Sequence, residues 1–157
     1  MGARALKSES YESQSVAETE QVAASLASTL TGGECIALEG DLGAGKTQFV
    51  RGLVAGLGGD HRQVASPTYV LLHVYGGPAH TDKVGVPPMR LTVYHLDAYR
   101  VSGEEELEAI GFTELLEEGG VVVVEWASRI RGLLPQGCIE VTIQSTGETS
   151  RQITIGR

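Results

Sequence analysis

The sequence predicts a three-layer α/β domain with a mainly parallel central sheet and an antiparallel hairpin near its C-terminal end. Three observations carry that expectation. An apolar run, CIALEG, passes into a glycine-rich loop and then into an amphipathic helix. A second run, VVVVEWA, holds four consecutive valines and suits a strand covered on both faces. Near the end of the chain, CIEVTIQ and RQITI alternate around a polar turn, as a hairpin at a sheet edge does.

Composition sets the outer bounds. A chain of 157 residues, 41% hydrophobic and 20% charged, is long enough for one domain with a substantial core. The 21 glycines follow no period, so they mark turns and close backbone approaches. A net charge of -8 disfavours independent binding to nucleic acid or to an anionic membrane, since both require clustered cations. It leaves room for a shared interface whose basic surface comes from a partner. The longest apolar runs fall short of the roughly 18 residues of a membrane helix, and the polar N-terminus has no signal-peptide core. A soluble cytoplasmic protein is expected. Cys35 and Cys138 lie in apolar, strand-like runs without metal-ligand spacing, which fits small buried apolar residues.

The elements follow in order. Residues 1–14 lack periodicity and are expected to form a flexible lead-in to a single domain, 15–157. Ser15 with Glu18 forms a capping box ahead of a helix on which Val16, Val22, Ala23, Leu26 and Leu30 recur near helical spacing. Gly32 and Gly33 stop that helix. The CIALEG strand and its loop lead into TQFVRGLVAGLG, where Phe49, Val50, Leu53, Val54 and Leu57 share a face. VASPTYVLLHVY turns at Pro67 before a strand, and the Gly- and Pro-rich residues 76–89 read as a loop. RLTVYHLDAYR is a further strand. GEEELEAIGFTELLEEG reads as one helix or two short ones, with acids at the positive end of the helix dipole.

The chemistry centres on GDLGAGKT, which fits G-x-x-x-x-G-K-[ST] at every fixed position. Its place between a strand and a helix is the context that makes the match a P-loop, and it makes the fold P-loop NTPase-like. Gly40, Gly43 and Gly45 let the backbone curl so that successive N–H groups face phosphate oxygens, and the following helix adds its positive end. The whole loop, with Asp41, Leu42 and Ala44 between those glycines, is expected to hold the nucleotide. Lys46 reaches the β- and γ-phosphates in such loops, and the Thr47 hydroxyl ligates Mg2+. Such a site also needs a carboxylate on a neighbouring strand. Glu125 and Asp97 both end strands, and each reads either as that acid or as a solvated acid at a strand terminus. Parallel strands direct their carboxyl ends toward one crevice, which favours the first reading. Thr68, in SPTY, is either a sensor of the γ-phosphate or metal, or simple turn chemistry. His95 and Tyr94 read as structural. Trp126 follows Glu125 and is expected to face the other way, into the core or an interface. Arg100 and Arg129 serve either a phosphate or surface ion pairs.

Together GDLGAGKT, SPTY, YHLDAYR, EELEAIGF and VVVVEW, in this order, resemble the TsaE (YjeE) family of P-loop ATPases from bacterial tRNA threonylcarbamoyladenosine synthesis. The resemblance spans residues 15–155. It implies binding and slow hydrolysis of ATP with Mg2+, in service of the TsaB–TsaD pair that transfers a threonylcarbamoyl group to tRNA. Contact with tRNA would then be indirect. It implies a metal role for Thr47 and Glu125, a nucleotide- or water-positioning role for Asp97, a switch-like role for Thr68 and an adenine-side position for Thr19. Residues 76–89 look longer and richer in proline than the family's usual loop.

Other classes share the loop. A GTPase would need [NT]-K-x-D, which TDKV only scrambles. A small-molecule kinase would carry a lid rich in arginine, and the 12 Lys and Arg show no such cluster. A non-hydrolytic nucleotide-binding module is the third alternative, since the loop speaks for binding more directly than for turnover.

Overall fold

The computed structural model describes residues 7–65, 71–77 and 88–157. In chain order the elements are β1 (Ser8–Ser13), α1 (Val16–Ala27), β2 (Cys35–Glu39), α2 (Lys46–Gly56), β3 (Leu72–Tyr75), β4 (Val93–Asp97), α3 (Glu104–Ala109), α4 (Phe112–Glu117), β5 (Val121–Glu125), β6 (Ile139–Ser145) and β7 (Arg151–Gly156). Short 3-10 segments occupy His61–Gln63 and Ala127–Leu133.

All seven strands join one sheet in the order β1-β7-β6-β2-β5-β4-β3. Its centre is parallel: β2 pairs in parallel with both β5 and β6, and β4 with β5. The predicted C-terminal hairpin is β6 and β7, antiparallel. Antiparallel pairing also occurs at both edges, where the sequence reading did not place it: β3 runs against β4, and β1 against β7.

Strand β1 corrects the expected lead-in. Residues 8–13 pair residue by residue with β7, from Ser8 opposite Gly156 to Ser13 opposite Arg151. SESYES has no apolar alternation because its side chains are exposed up to the buried Ser13. Backbone pairing on an open edge holds it, and that leaves no side-chain pattern to read.

Two cores cover the sheet faces, which makes three layers. On one face α1 and α2 pack over Ile36, Leu38, Val121, Val123, Val141 and Ile153. On the other, α3, α4 and the 127–133 segment enclose Ala37, Leu96, Val122 and Val124 through Leu107, Phe112 and Ile130. The valine run is buried throughout, as a strand between two layers must be. Gly111, at φ 88°, separates α3 from α4, so the acidic stretch forms two short helices. Cys35, in β2, and Cys138, just before β6, are free thiols, with Cys138 Sγ donating to the Cys35 carbonyl at 3.2 Å.

Helices α1 and α2 approach closely because α2 carries glycine at the crossing. A Cβ on Gly52 would lie 2.2 Å from the Glu20 carbonyl oxygen, and one on Gly56 would lie 2.9 Å from Ala24 Cα. The Ser15 hydroxyl accepts from Glu18 N–H at 3.1 Å, as the capping box requires, while the Glu18 carboxylate reaches back to Gln14 N–H rather than to Ser15. Helix α1 ends at Ala27, short of the glycines. The Arg90 guanidinium then takes up the carbonyls of Ala27 and Leu30 at 2.6 Å each.

Candidate functional site

The glycine loop connects the carboxyl end of β2 to α2. Gly43 and Gly45 stand at φ 79° and 110°, a region L side chains rarely adopt, and neither has a backbone atom where a Cβ would sit. Gly45 caps α2 without a side chain, so the first N–H groups of the helix remain directed at the loop's concave side. Asp41 and Ala44 close the loop by a carbonyl to N–H bond of 3.0 Å, with Ala44 tucked into the core. Leu42 is 81% exposed at the tip.

Strands β4 and β5 end beside this loop. Asp97 and Glu125 are direct register partners, both buried, and Leu38 at the end of β2 is the parallel neighbour of Glu125. Leu42, Gly43, Gly45, Lys46, Thr47, Asp97, Glu125 and Trp126 line one cavity of about 330 Å³. Two carboxylates directly opposite each other repel. Lys46 answers that repulsion: the residue is only 7% exposed, and its ammonium sits close enough to Glu125 and Asp97 to feel both charges. Burial pulls its pKa below the ordinary lysine value, and Glu125, Asp97, Glu39 and Asp41 act in the opposite direction. The ammonium donates to the Gly40 carbonyl and lies 4.0 Å from the Trp126 ring centroid.

A second hollow of about 360 Å³ adjoins the first across Gly43 and Gly45, with Thr19, Ser15, Gln48, Thr149 and Arg151 on its walls. Thr19 is buried and its hydroxyl shares a 2.8 Å hydrogen bond with the Ser13 hydroxyl, so β1 fixes the residue to which the family resemblance gave an adenine-side position. Thr68 lies outside the described residues, as do residues 66–70 and 78–87 generally.

Three residues carry more than the sequence reading assigned them. Arg151, at the start of β7, donates Nε to the Ala44 carbonyl at 2.8 Å and Nη2 to Gly43 at 3.3 Å, clamping the loop. No local signal marks it, because the contact spans over a hundred residues and depends on β7 lying beside β6 in the sheet. Trp126 does not face away from Glu125. Its backbone takes φ 58°, a left-handed turn that breaks strand alternation and swings the indole onto Lys46. Tyr99 packs on that indole at 4.9 Å, and the Arg129 guanidinium lies 5.1 Å from Tyr99. His95 is fully buried and shares a 2.9 Å contact with Glu125 Oε2.

The residues present suit a phosphate and a hard cation. The loop supplies backbone N–H groups and an ammonium, while Thr47, Asp97 and Glu125 supply oxygen donors. Among the described residues no group of three or more His, Cys, Asp or Glu forms a protein-only metal cage. A cation here would complete its shell from hydroxyl, phosphate and water, which is the habit of Mg2+. No helix among the described residues is long and apolar enough to cross a membrane.

Fold and loop together define a P-loop NTPase-like α/β protein. Comparison with known proteins is more specific. The family model described as "Threonylcarbamoyl adenosine biosynthesis protein TsaE" matches residues 13–153. A tRNA threonylcarbamoyladenosine biosynthesis protein TsaE from Treponema pallidum is 35% identical over 143 residues, covering 91% of this chain and 96% of that protein. Its Bacillus subtilis counterpart is 39% identical over 137 residues, covering 87% and 78%. A crystal structure of YdiB from Bacillus subtilis superposes with a TM-score of 0.74 at 30% identity, covering 98% of this chain and 88% of that one. The chain belongs to the TsaE family, whose role is in tRNA threonylcarbamoyladenosine biosynthesis.

Proposed function

We propose that this chain binds and slowly hydrolyses ATP with Mg2+ as an accessory subunit of tRNA threonylcarbamoyladenosine formation, acting on the TsaB–TsaD transfer complex in the cytoplasm. One observation supports this above the others: Lys46 and Thr47 of the loop and the strand-end acids Asp97 and Glu125 share one cavity. In this reading the loop from Gly40 to Thr47 wraps the phosphates, and Lys46 neutralises the β- and γ-oxygens. Thr47 and Glu125 would hold Mg2+, which would offset the negative charge of the phosphates. Asp97 orients the nucleotide or the attacking water. The hollow beside Thr19 takes the nucleoside end, and Thr68 serves as the switch-like residue.

Turnover by the isolated chain would be slow, because no arginine stands in a motif-defined finger position. Such a charge supplied in trans changes hydrolysis by about 10³–10⁵-fold in P-loop enzymes. With a net charge of -8, the chain would leave tRNA to its partners and dock on protein. The test mixes purified chain, Mg-ATP, TsaB, TsaD and tRNA, and follows phosphate release and tRNA modification together. The expected result is partner-stimulated hydrolysis and modification that requires this chain. Equal hydrolysis with and without partners, with tight tRNA binding by the chain alone at physiological salt, refutes the proposal. Phosphate transferred to a small acceptor would indicate a kinase, and nucleotide binding without phosphate release a binding module.

A further inference from the structure

Resting on the reading of Glu125 as a magnesium ligand, we propose that His95 is a positioning residue that holds the Glu125 carboxylate in its ligating orientation. Along β4, Val93, His95 and Asp97 point to the face covered by α1 and α2, and on β5 Val121, Val123 and Glu125 do the same. His95 stands directly opposite Val123, so Glu125 is its diagonal neighbour one step nearer the cavity. The imidazole lies beneath the carboxylate, fully buried, with Nε2 at 2.9 Å from Oε2. That contact occupies one carboxylate oxygen from the core side and leaves Oε1 for the cavity that Glu125 lines.

Packing alone does not account for histidine here. Its Nδ1 is buried with no hydrogen-bond partner among the described residues. Leu or Phe would fill the space without stranding a polar atom, and buried polar groups left unpaired call for another explanation. Donation from Nε2–H to Glu125 supplies one. It fixes the carboxylate rotamer and stabilises its charge next to Asp97, which faces it across the strand pair. An outer partner that orients a ligating group typically changes metal affinity by 10–100-fold.

The test measures affinity for a non-hydrolysable ATP analogue by calorimetry, without Mg2+ and across a Mg2+ series. The chains compared are the parent, His95→Leu, His95→Gln and Glu125→Ala. In His95→Leu the Mg2+ half-point should rise at least about tenfold while Mg2+-free affinity stays within about twofold. His95→Gln, which keeps an N–H donor at similar reach, should recover most of the loss. If Glu125→Ala shifts the half-point and His95→Leu does not, or if Gln and Leu behave alike, His95 is not a positioning residue. If Glu125→Ala itself leaves the Mg2+ dependence unchanged, the magnesium reading of Glu125 fails, and the inference falls with it. Should His95→Leu not fold, nitrogen-15 spectra of the parent decide the matter. A neutral His95 protonated at Nε2, with a shift on addition of Mg2+ and analogue, supports the proposal, and protonation at Nδ1 overturns it.

Discussion

Replacing Gly52 with alanine sets two well-measured effects against each other, and the structure says which wins. Glycine inside a helix is worse than alanine by about 1 kcal/mol, so propensity alone makes Gly52→Ala stabilising. The α1–α2 crossing points the other way. The added methyl would lie 2.2, 2.5 and 2.7 Å from the carbonyl oxygen, Cα and carbonyl carbon of Glu20, all backbone atoms of α1, whose inner face is packed on the core. No rotamer change relieves that overlap, so α1 must move by more than about 1 Å against a close-packed core. Overpacking of this kind costs about 1–3 kcal/mol, and the propensity gain offsets part of it. The unfolding free energy should therefore fall, with Tm dropping about 2–4 °C for each kcal/mol lost in a chain of this size. Ala55, exposed on the same helix, gives the propensity scale through Ala55→Gly. Urea and thermal unfolding of both variants make the comparison. A Gly52→Ala protein as stable as the parent, or more so, would refute the close-approach argument.

The remaining expectations concern the cavity. Lys46→Met removes the charge facing the phosphates and should weaken ATP binding at least about tenfold by calorimetry, since a charge-assisted contact is worth about 1.5–3 kcal/mol. The same variant isolates a pH effect. Burial holds the Lys46 pKa below 10.5, so between the lowered value and 10.5 the unfolded chain carries the proton more often than the folded one. Stability without nucleotide should rise with pH across that window in the parent relative to Lys46→Met, as denaturant unfolding at a series of pH values will show. Asp97→Ala should lower kcat while nucleotide affinity changes little, if Asp97 acts on the transition state as proposed; lost affinity with preserved kcat would make it a binding residue instead. Arg151→Ala should weaken nucleotide binding by freeing the Gly43 and Ala44 carbonyls, and Arg151→Lys should not restore it, since an ammonium cannot reproduce the fork.

What the sequence made legible was whatever repeats locally or ends a strand. CIALEG, GDLGAGKT and the following helix form one contiguous unit, and the four valines needed only their own apolarity to mark a buried strand. Asp97 and Glu125 could be paired in advance because both end parallel strands, whose carboxyl ends meet. The rest depends on partners distant in the chain. Strand β1 is held by backbone pairing, so SESYES shows no pattern, yet it places Ser13 against Thr19. Arg151 reaches the loop only because β7 lies next to β6, between it and β1. The role of His95 follows from its diagonal register to Glu125, which no spacing within either strand reveals.

Trp126 shows how one backbone angle changes the electrostatics of the cavity. Had the strand continued, the indole would lie on the opposite face and Lys46 would meet the two carboxylates with only a loop carbonyl beside it. The left-handed turn at φ 58° instead brings the ring face to 4.0 Å from the ammonium. A cation–π contact is worth about 0.5–2 kcal/mol depending on desolvation, less than one or two charge-assisted phosphate contacts at about 1.5–3 kcal/mol each. A phosphate entering the cavity can therefore displace the indole at a net gain, with the Gly40 carbonyl exchanged for a contact of similar strength. Until it does, the indole and the carbonyl hold the ammonium, while the charges of Glu125, Asp97, Glu39 and Asp41 act against the burial that lowers its pKa. Asp97 and Glu125 line the same cavity as the lysine, within reach of its charge. A tighter Lys46–Glu125 pair would have stabilised the empty site more, and the entering nucleotide would then have had to break it.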